Sequence, residues 1–453
     1  MIKAPPFRDL SAGGHADVSR HSTSGGSLES LASRLAGWLP PLIFFYVLIV
    51  WPLVFGDPLP TLADDTLGWL VVEDTYPKSI WKSLAYPVLS LLAFACLLLT
   101  AGYRRIPFLH AGVLLLLAFA AYAFASVAWS VVPSISALRA ALFFAITLGL
   151  VGSVYAAPAN APIVTRLFWV VFLTAVLNTG ALFVRERTQL GYSGIYDHKN
   201  VFGWVAALVM YFGLYRLVIG DTKERLAAVF MIATAPIFLI LSESKTSLGL
   251  AALSPALATV LWLGAREFRV SPALVFAVLV VVLAFVFQIG HAAGLWDFHI
   301  VNNAIFGNPT LTGRTEIWSF TLGLIWDQPL FGYGYEGVFS TGADGLVVRK
   351  AVGFIRVMPT AHNGYLDIWV QLGIVGLTAV ILFALIALDA IGRLSMVRPD
   401  IAWLFLTITL FTLLHNFLES DVFISSNPLS MLTLLAFFMA IRMRAEQDRA
   451  FAP

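Results

Sequence analysis

The sequence predicts an all-α, polytopic integral membrane protein, with about 12 transmembrane helices and one large loop on the non-cytoplasmic side. Three observations carry this. Of 453 residues, 59% are apolar and 12% charged, where a soluble domain has about 45–50% and about 25%. The apolar residues gather in runs close to the roughly 20 needed to cross a bilayer. Lys and Arg collect in the loops that fall on one side when the runs alternate in direction.

Taken in order, residues 1–36 come first, rich in Ser and Gly (SAGGHADVSRHSTSGGSLES). They lack the basic stretch beside a short apolar run that marks a signal peptide, and read as a disordered cytoplasmic tail. Spans follow at 37–55, 83–102, 108–128, 136–155, 163–184, 200–219, 226–241, 246–264, 272–290, 363–388, 401–418 and 428–442. Those at 226–241 and 428–442 are short, and Arg139 lies early in the fourth. Together they make one membrane domain, 37–442, with a loop at 291–361 and a cytoplasmic tail at 443–453.

Placing both termini in the cytoplasm puts most of the 28 Lys and Arg residues on the cytoplasmic side, among them Arg104, Arg105, Lys223, Arg225, Arg266, Arg269, Arg442 and Arg444. The opposite face then receives five polar clusters: Arg185–Asn200, Ser242–Ser247, the long loop, His362, and Glu419–Asn427. The outer segment 56–82, with Asp64, Asp65, Glu73 and Asp74, has no usable pattern. A formal charge of +2 gives no reason to expect nucleic acid as a partner. The single cysteine, Cys96, sits in an apolar run and reads as a core residue.

A loop of about 70 residues is rare unless functional. Within it, GRTEIWSFTLGLIWD (313–327) sets Ile317, Phe320 and Leu324 at helical spacing, predicting a short helix on the outer membrane surface that presents Arg314. An interfacial anchor touching lipid headgroups is the plainer alternative. FGYGYEGVF (331–339) supplies a Gly- and Tyr-rich turn. His362 opens HNGYLDIWVQLGIVGL, and on an ideal helix it shares a face with Gly373 and Gly376. Those small residues would draw it into the bundle, where a helix N-terminus favours the neutral ring and leaves it able to take a proton. A purely structural hydrogen bond is the alternative.

SESKTS (242–247) combines Lys245 with hydroxyls and helix-terminal N–H groups, which suits a phosphate; a snorkelling lysine at a plain turn explains it equally. YDHKN (196–200) brings His198, Lys199 and Asn200 to the mouth of a span, below Arg185 and Arg187. HNFLESD (415–421) sets His415 and Glu419 four apart on one helical face. No H-E-x-x-H, cysteine pair or acidic dyad predicts a metal site.

With these motifs in view, the chain resembles the O-antigen ligase and Wzy-type polysaccharide polymerase superfamily of bacterial inner membranes. His362-Asn363, nine residues, Gly373, two residues and Gly376 fit that family's loop-end pattern. GRTEIW resembles the segment bearing its essential Arg, FGYGYEGVF its Gly-rich turn, and AWSVVPS (128–134) a recurring Trp-Ser-Pro turn. Ligases usually carry Arg where this chain has Lys245, and HKN with SKTS look more like the exopolysaccharide-polymerase branch.

The resemblance implies a GT-C-like, inverting glycosyltransferase of the inner membrane, independent of metal and cofactor, with its site facing the periplasm. The donor would be an undecaprenyl-pyrophosphate-linked glycan and the acceptor a sugar hydroxyl on a second lipid-linked repeat unit. A ligase acting on lipid A core or on protein is the alternative enzyme, and a membrane transporter the alternative from another class. Inversion asks for one base opposite the leaving group, and His362 is that candidate. Arg314 and Lys245 would neutralise the pyrophosphate. Arg185, Arg187, His198, Lys199, Asn200, Tyr333, Asn363, Glu419 and Asp421 are the expected substrate contacts, Glu419 and Asp421 also as ligands that could orient a cation. A chain-length regulator and a flippase are the expected protein partners.

Overall fold

The computed structural model describes residues 25–55, 80–187, 191–295, 313–339 and 345–450, with 297, 303, 341 and 342. Its helices are α1 (Gly25–Ala36), α2 (Leu39–Phe45, widening to an i→i+5 winding over Tyr46–Phe55), α3 (Ile80–Leu99), α4 (Ala111–Ala125), α5 (Pro133–Ala156), α6 (Ile163–Ala181), α7 (Lys199–Ile219), α8 (Thr222–Ser242), α9 (Lys245–Glu267), α10 (Pro272–Ala292), α11 (Arg314–Asp327), α12 (Leu346–Lys350), α13 (Gly364–Leu394), α14 (Pro399–His415) and α15 (Pro428–Ala450). Among the described residues, 10 helical stretches are long and apolar enough to cross a membrane, and Leu84–Leu99 and Pro399–His415 are shorter apolar helices. The chain is an all-helical, multi-pass membrane protein.

The helix ends follow local chemistry. Asp221 and Glu224 close a capping box at α8, which satisfies two backbone donors reciprocally and starts the helix before the apolar run at 226–241. Proline stands first in α5, α10, α14 and α15, where its missing N–H costs nothing. In the bundle α7 packs on α8, α3 on α5 and α9 on α14. α14 is buried on nearly every side, as expected of a helix apolar all round. α10 is the opposite case: of its 21 residues only Pro272 and Gly290 are buried.

Both ends of the chain differ from expectation. Residues 1–24 of the supposed tail lie outside the described residues, but Gly25–Ala36 is helical, with Ala32 and Ala36 buried. Two alanines four apart make a packing face that the Ser- and Gly-rich composition hides. At the other end α15 runs on to Ala450, past 442, and the pairs Arg442–Glu446 and Arg444–Asp448 support it at i,i+4.

Much of the long loop is a folded cap. Ile317, Leu324, Ile325, Val338, Phe339, Leu346, Val347 and Ile355 share a small core with Val370 of α13. α11 therefore packs on α13, and Thr321 and Ile325 join Ile317 and Leu324 on its buried side while Phe320 is half-buried.

The expected face joining His362 to Gly373 and Gly376 does not form. α13 begins after His362, and its winding breaks at Gly373, where φ is 65° and ψ −169°. The break receives the Gly-rich turn. Ile374 N–H and the Trp369 indole donate to the Pro329 carbonyl at 2.9 and 3.2 Å, while Tyr333 and Gly334 N–H donate to the Val370 and Gln371 carbonyls at 3.0 and 2.8 Å. A Cβ on Gly373 would strike the Leu330 carbonyl. On its other side the turn meets AWSVVPS, with Val131 N–H on Tyr333 O at 3.1 Å and the Trp129 indole on Phe331 O at 3.2 Å. Arg139, awkward within a span, donates to the Glu336 carbonyl at 2.6 Å and explains itself as the anchor of this turn.

Candidate active site

The strongest polar cluster lies where α7, α9 and α11 begin and α14 ends. Its centre is Glu419, in the turn after α14. Arg314, the first residue of α11, donates through Nη2 to Glu419 Oε1 at 2.5 Å and through Nε to the Leu418 carbonyl at 2.9 Å. Asn200 Nδ2 reaches the same carboxylate oxygen at 2.6 Å. The other oxygen, Oε2, faces His362 Nδ1 at 3.0 Å. Side-chain exposures of 17% for Arg314, 14% for Glu419 and 22% for His362 place these contacts where water screens them only partly.

The carboxylate is ionised. Burial would raise its pKa, but the hydrogen bond with His362 and the charges of Arg314, His362 and His415 outweigh burial and bring it to about 2. An ionised carboxylate only accepts, so the proton on the shared contact belongs to His362 Nδ1, and Nε2 carries the basic lone pair. This is the arrangement by which a carboxylate fixes an imidazole tautomer and stabilises the imidazolium once formed.

Positive charge surrounds the dyad. Lys199 lies within electrostatic reach of Arg314, Lys245 and Glu419, and His198 within reach of Glu419, His362, Lys199 and Arg314. The first turns of α7 and α9 touch, since a Cβ on Gly203 would lie 2.8 Å from Ser244 Cβ. His198 caps α7 through Nδ1, accepting the Asn200 N–H at 3.1 Å. Lys245 is exposed at the start of α9.

Other expected contacts lie elsewhere or have structural partners. Arg185 donates to the Gly194 carbonyl at 3.1 Å, and Arg187 pairs with Glu243. Asn363 caps α13, accepting the Tyr365 and Leu366 N–H groups, both at 3.1 Å. Tyr333 lies within electrostatic reach of Lys350 and Asp327. Asp327 ends the 14-residue α11, about 20 Å from Arg314 at 1.5 Å per residue, so Tyr333 belongs to the docked turn and not to this cluster. Asp421 is buried and holds His415 Nδ1 at 2.6 Å, and His415 Nε2 lies 3.4 Å from the Ser247 hydroxyl. His415 and Glu419 thus serve different partners, because the chain leaves α14 between them. Among the described residues no group of three or more His, Cys, Asp or Glu could hold a metal ion.

Sequence reasoning passed over Asp367, Ser420 and Asn416. Asp367 accepts the Ala361 N–H at 3.1 and 3.2 Å and the Ser420 hydroxyl. The signal was available: an ionisable residue just inside a span asks for a partner.

Residues 226–381 match the family model described as O-antigen ligase. That stretch contains Lys245, Arg314, His362, Gly373 and Gly376, while Asn200 and Glu419 lie outside it. No curated protein matches the chain.

Proposed function

We propose that this chain, whose residues 226–381 match the family model described as O-antigen ligase, is a polysaccharide polymerase of the Wzy type. It transfers a glycan from undecaprenyl pyrophosphate to a sugar hydroxyl on a second lipid-linked repeat unit. The observation that carries this reading is Glu419, whose two oxygens hold Arg314 and His362 side by side. His362 Nε2 takes the proton of the acceptor hydroxyl as its oxygen attacks the anomeric carbon. The bond from that carbon to the pyrophosphate oxygen breaks on the opposite face, inverting the centre, and Glu419 stabilises the imidazolium. Arg314, Lys245 and Lys199 supply the charge that the departing pyrophosphate needs, with the N-terminal ends of α7, α9 and α11 adding their dipoles. No step calls for a metal. The reading places the site on the periplasmic side of the inner membrane.

A ligase that delivers the finished glycan to lipid A core or to protein is the second reading, favoured by the description of the matching family. Both share the donor side, so the acceptor decides. Purified protein in lipid nanodiscs, given only lipid-linked repeat units and excess EDTA, is expected to build a ladder of products. His362→Ala should lower turnover about 10²–10⁴-fold with donor binding nearly intact. Transfer to lipid A core without ladder formation would replace the polymerase by the ligase. Activity lost in EDTA and restored by Mg²⁺ would overturn the metal-free mechanism.

A further inference from the structure

We propose that Asp367 is a positioning residue for the transfer reaction, setting His362 against Glu419 without touching substrate; this rests on the functional reading above. Only 1% of Asp367 is exposed, so a glycan cannot reach it. Its carboxylate instead grips the neighbour of each dyad member. Ala361, whose N–H it accepts at 3.1 and 3.2 Å, precedes His362. Ser420, whose hydroxyl donates to Oδ2, follows Glu419. One buried side chain therefore ties the segment entering α13 to the segment leaving α14.

His362 gives this tie its purpose. Its φ of 49° puts a residue with a side chain in the left-handed region, a conformation that persists only where the surroundings over-determine it. Four fastenings do so: the Asp367 contact to Ala361, the Trp318 indole on the Ala361 carbonyl at 3.0 Å, the His362 N–H on Thr360 Oγ1 at 3.2 Å, and the Gly364 N–H shared by the Asn416 and Glu419 carbonyls at 2.9 and 3.0 Å. A Cβ on Gly364 would run into Asn416, so the two segments lie in direct contact. Asp367 bonds to both segments, at Ala361 and at Ser420. Placing a carboxylate at the end of a span is costly, and two fixed hydrogen bonds at this position are what it supplies.

The test compares Asp367→Ala, Asp367→Asn and Ser420→Ala with wild type and His362→Ala, in nanodiscs, measuring kcat and donor KM for transfer. A displacement of about 1 Å at a reacting group costs about 10²-fold, so Asp367→Ala is expected to lose about that factor in kcat while donor KM stays within about threefold. Ser420→Ala, which keeps the Ala361 bond, should lose about tenfold on the same basis. Asp367→Asn should stay within about fivefold of wild type, because its carbonyl still accepts from Ala361 and its amide can donate to the Ser420 oxygen. Wild-type rates in Asp367→Ala and Ser420→Ala would overturn the assignment. So would a folded Asp367→Asn as slow as the alanine variant, which would make the charge and not the two bonds the active quantity. If Asp367→Ala does not fold, the Asn and Ser420 variants decide. An experimental structure of Ser420→Ala gives a readout apart from activity. The 3.0 Å contact between His362 and Glu419 should lengthen beyond hydrogen-bond reach, and an unchanged contact would overturn the proposal. Wild type that transfers nothing would instead strike the functional reading and leave this structural arm to judge Asp367.

Discussion

A carboxylate brought to a pKa of about 2 by its partners, as Glu419 is, has a signed consequence for stability. The folded value lies below the ordinary 4.5, so the ionised group stabilises the fold above that pH and the contribution drains away as pH falls from 4.5 toward 2. At 1.36 kcal/mol per unit the contribution is about 3 kcal/mol. Chemical denaturation in micelles should find Glu419→Gln weaker than wild type at pH 6, with the gap narrowing at pH 3; a constant gap would contradict the pairing. Arg314 should prove harder to replace than its charge suggests. Its Nε and Nη2 serve the Leu418 carbonyl and Glu419 at once, a fork that lysine cannot reproduce. Arg314→Ala is expected to cost about 2–5 kcal/mol of transition-state binding, read from kcat/KM, and Arg314→Lys to recover only part. At this scale the sequence marked Arg314, His362, Lys199, Asn200 and Glu419 by residue type and by their place at helix mouths. It could not show that Glu419 joins the others, because a contact between residues so far apart in the chain leaves no local trace. Asn363 is harder to place from sequence, because a short-range cap and a polar residue held ready for ligand look alike there.

The break in α13 makes a prediction for an element. At φ 65° and ψ −169° Gly373 occupies a region open essentially to glycine alone, and a side chain there would meet the Leu330 carbonyl. Gly373→Ala should lower the melting temperature and loosen the cap, with backbone strain alone worth about 1–3 kcal/mol. Gly323→Ala is the control. It lies mid-helix in α11 with open space around its Cα, so improved helix propensity should make it neutral or stabilising by up to about 1 kcal/mol. Limited proteolysis of the cap separates the two. The positions of the spans were legible, since a run of apolar residues is its own signal. The break was not, because ideal helical geometry assumes a continuous backbone, and the turn that interrupts it comes from another part of the chain. α1 and the end of α15 were missed because composition conceals packing faces and i,i+4 pairs.

For the whole molecule the prediction is topological. Ser319 is exposed on α11 and Met396 follows the far end of α13. In a Cys96→Ala background, a cysteine at 319 should react with an impermeant thiol reagent in intact spheroplasts, and one at 396 only after lysis. The reverse pattern would invert the proposed orientation and remove the site from the periplasm. The proposed orientation rests on the alternation of Lys and Arg along the chain, whereas the cap's own core left no such signal, because its members are scattered from Ile317 to Val370. The sparse protein contact of α10 has a consequence of another kind. From Val280 to Ile289 most of its side chains face outward, an apolar face of the kind that acyl chains cover. On that account a bilayer is expected to hold this span better than detergent does. Amide hydrogen exchange along α10 should run faster in micelles than in nanodiscs, while that of α14 changes little. α11, which carries Arg314, follows α10 in the chain, so the transfer rate is expected to vary with bilayer thickness in nanodiscs, and a rate flat across thicknesses would contradict that coupling.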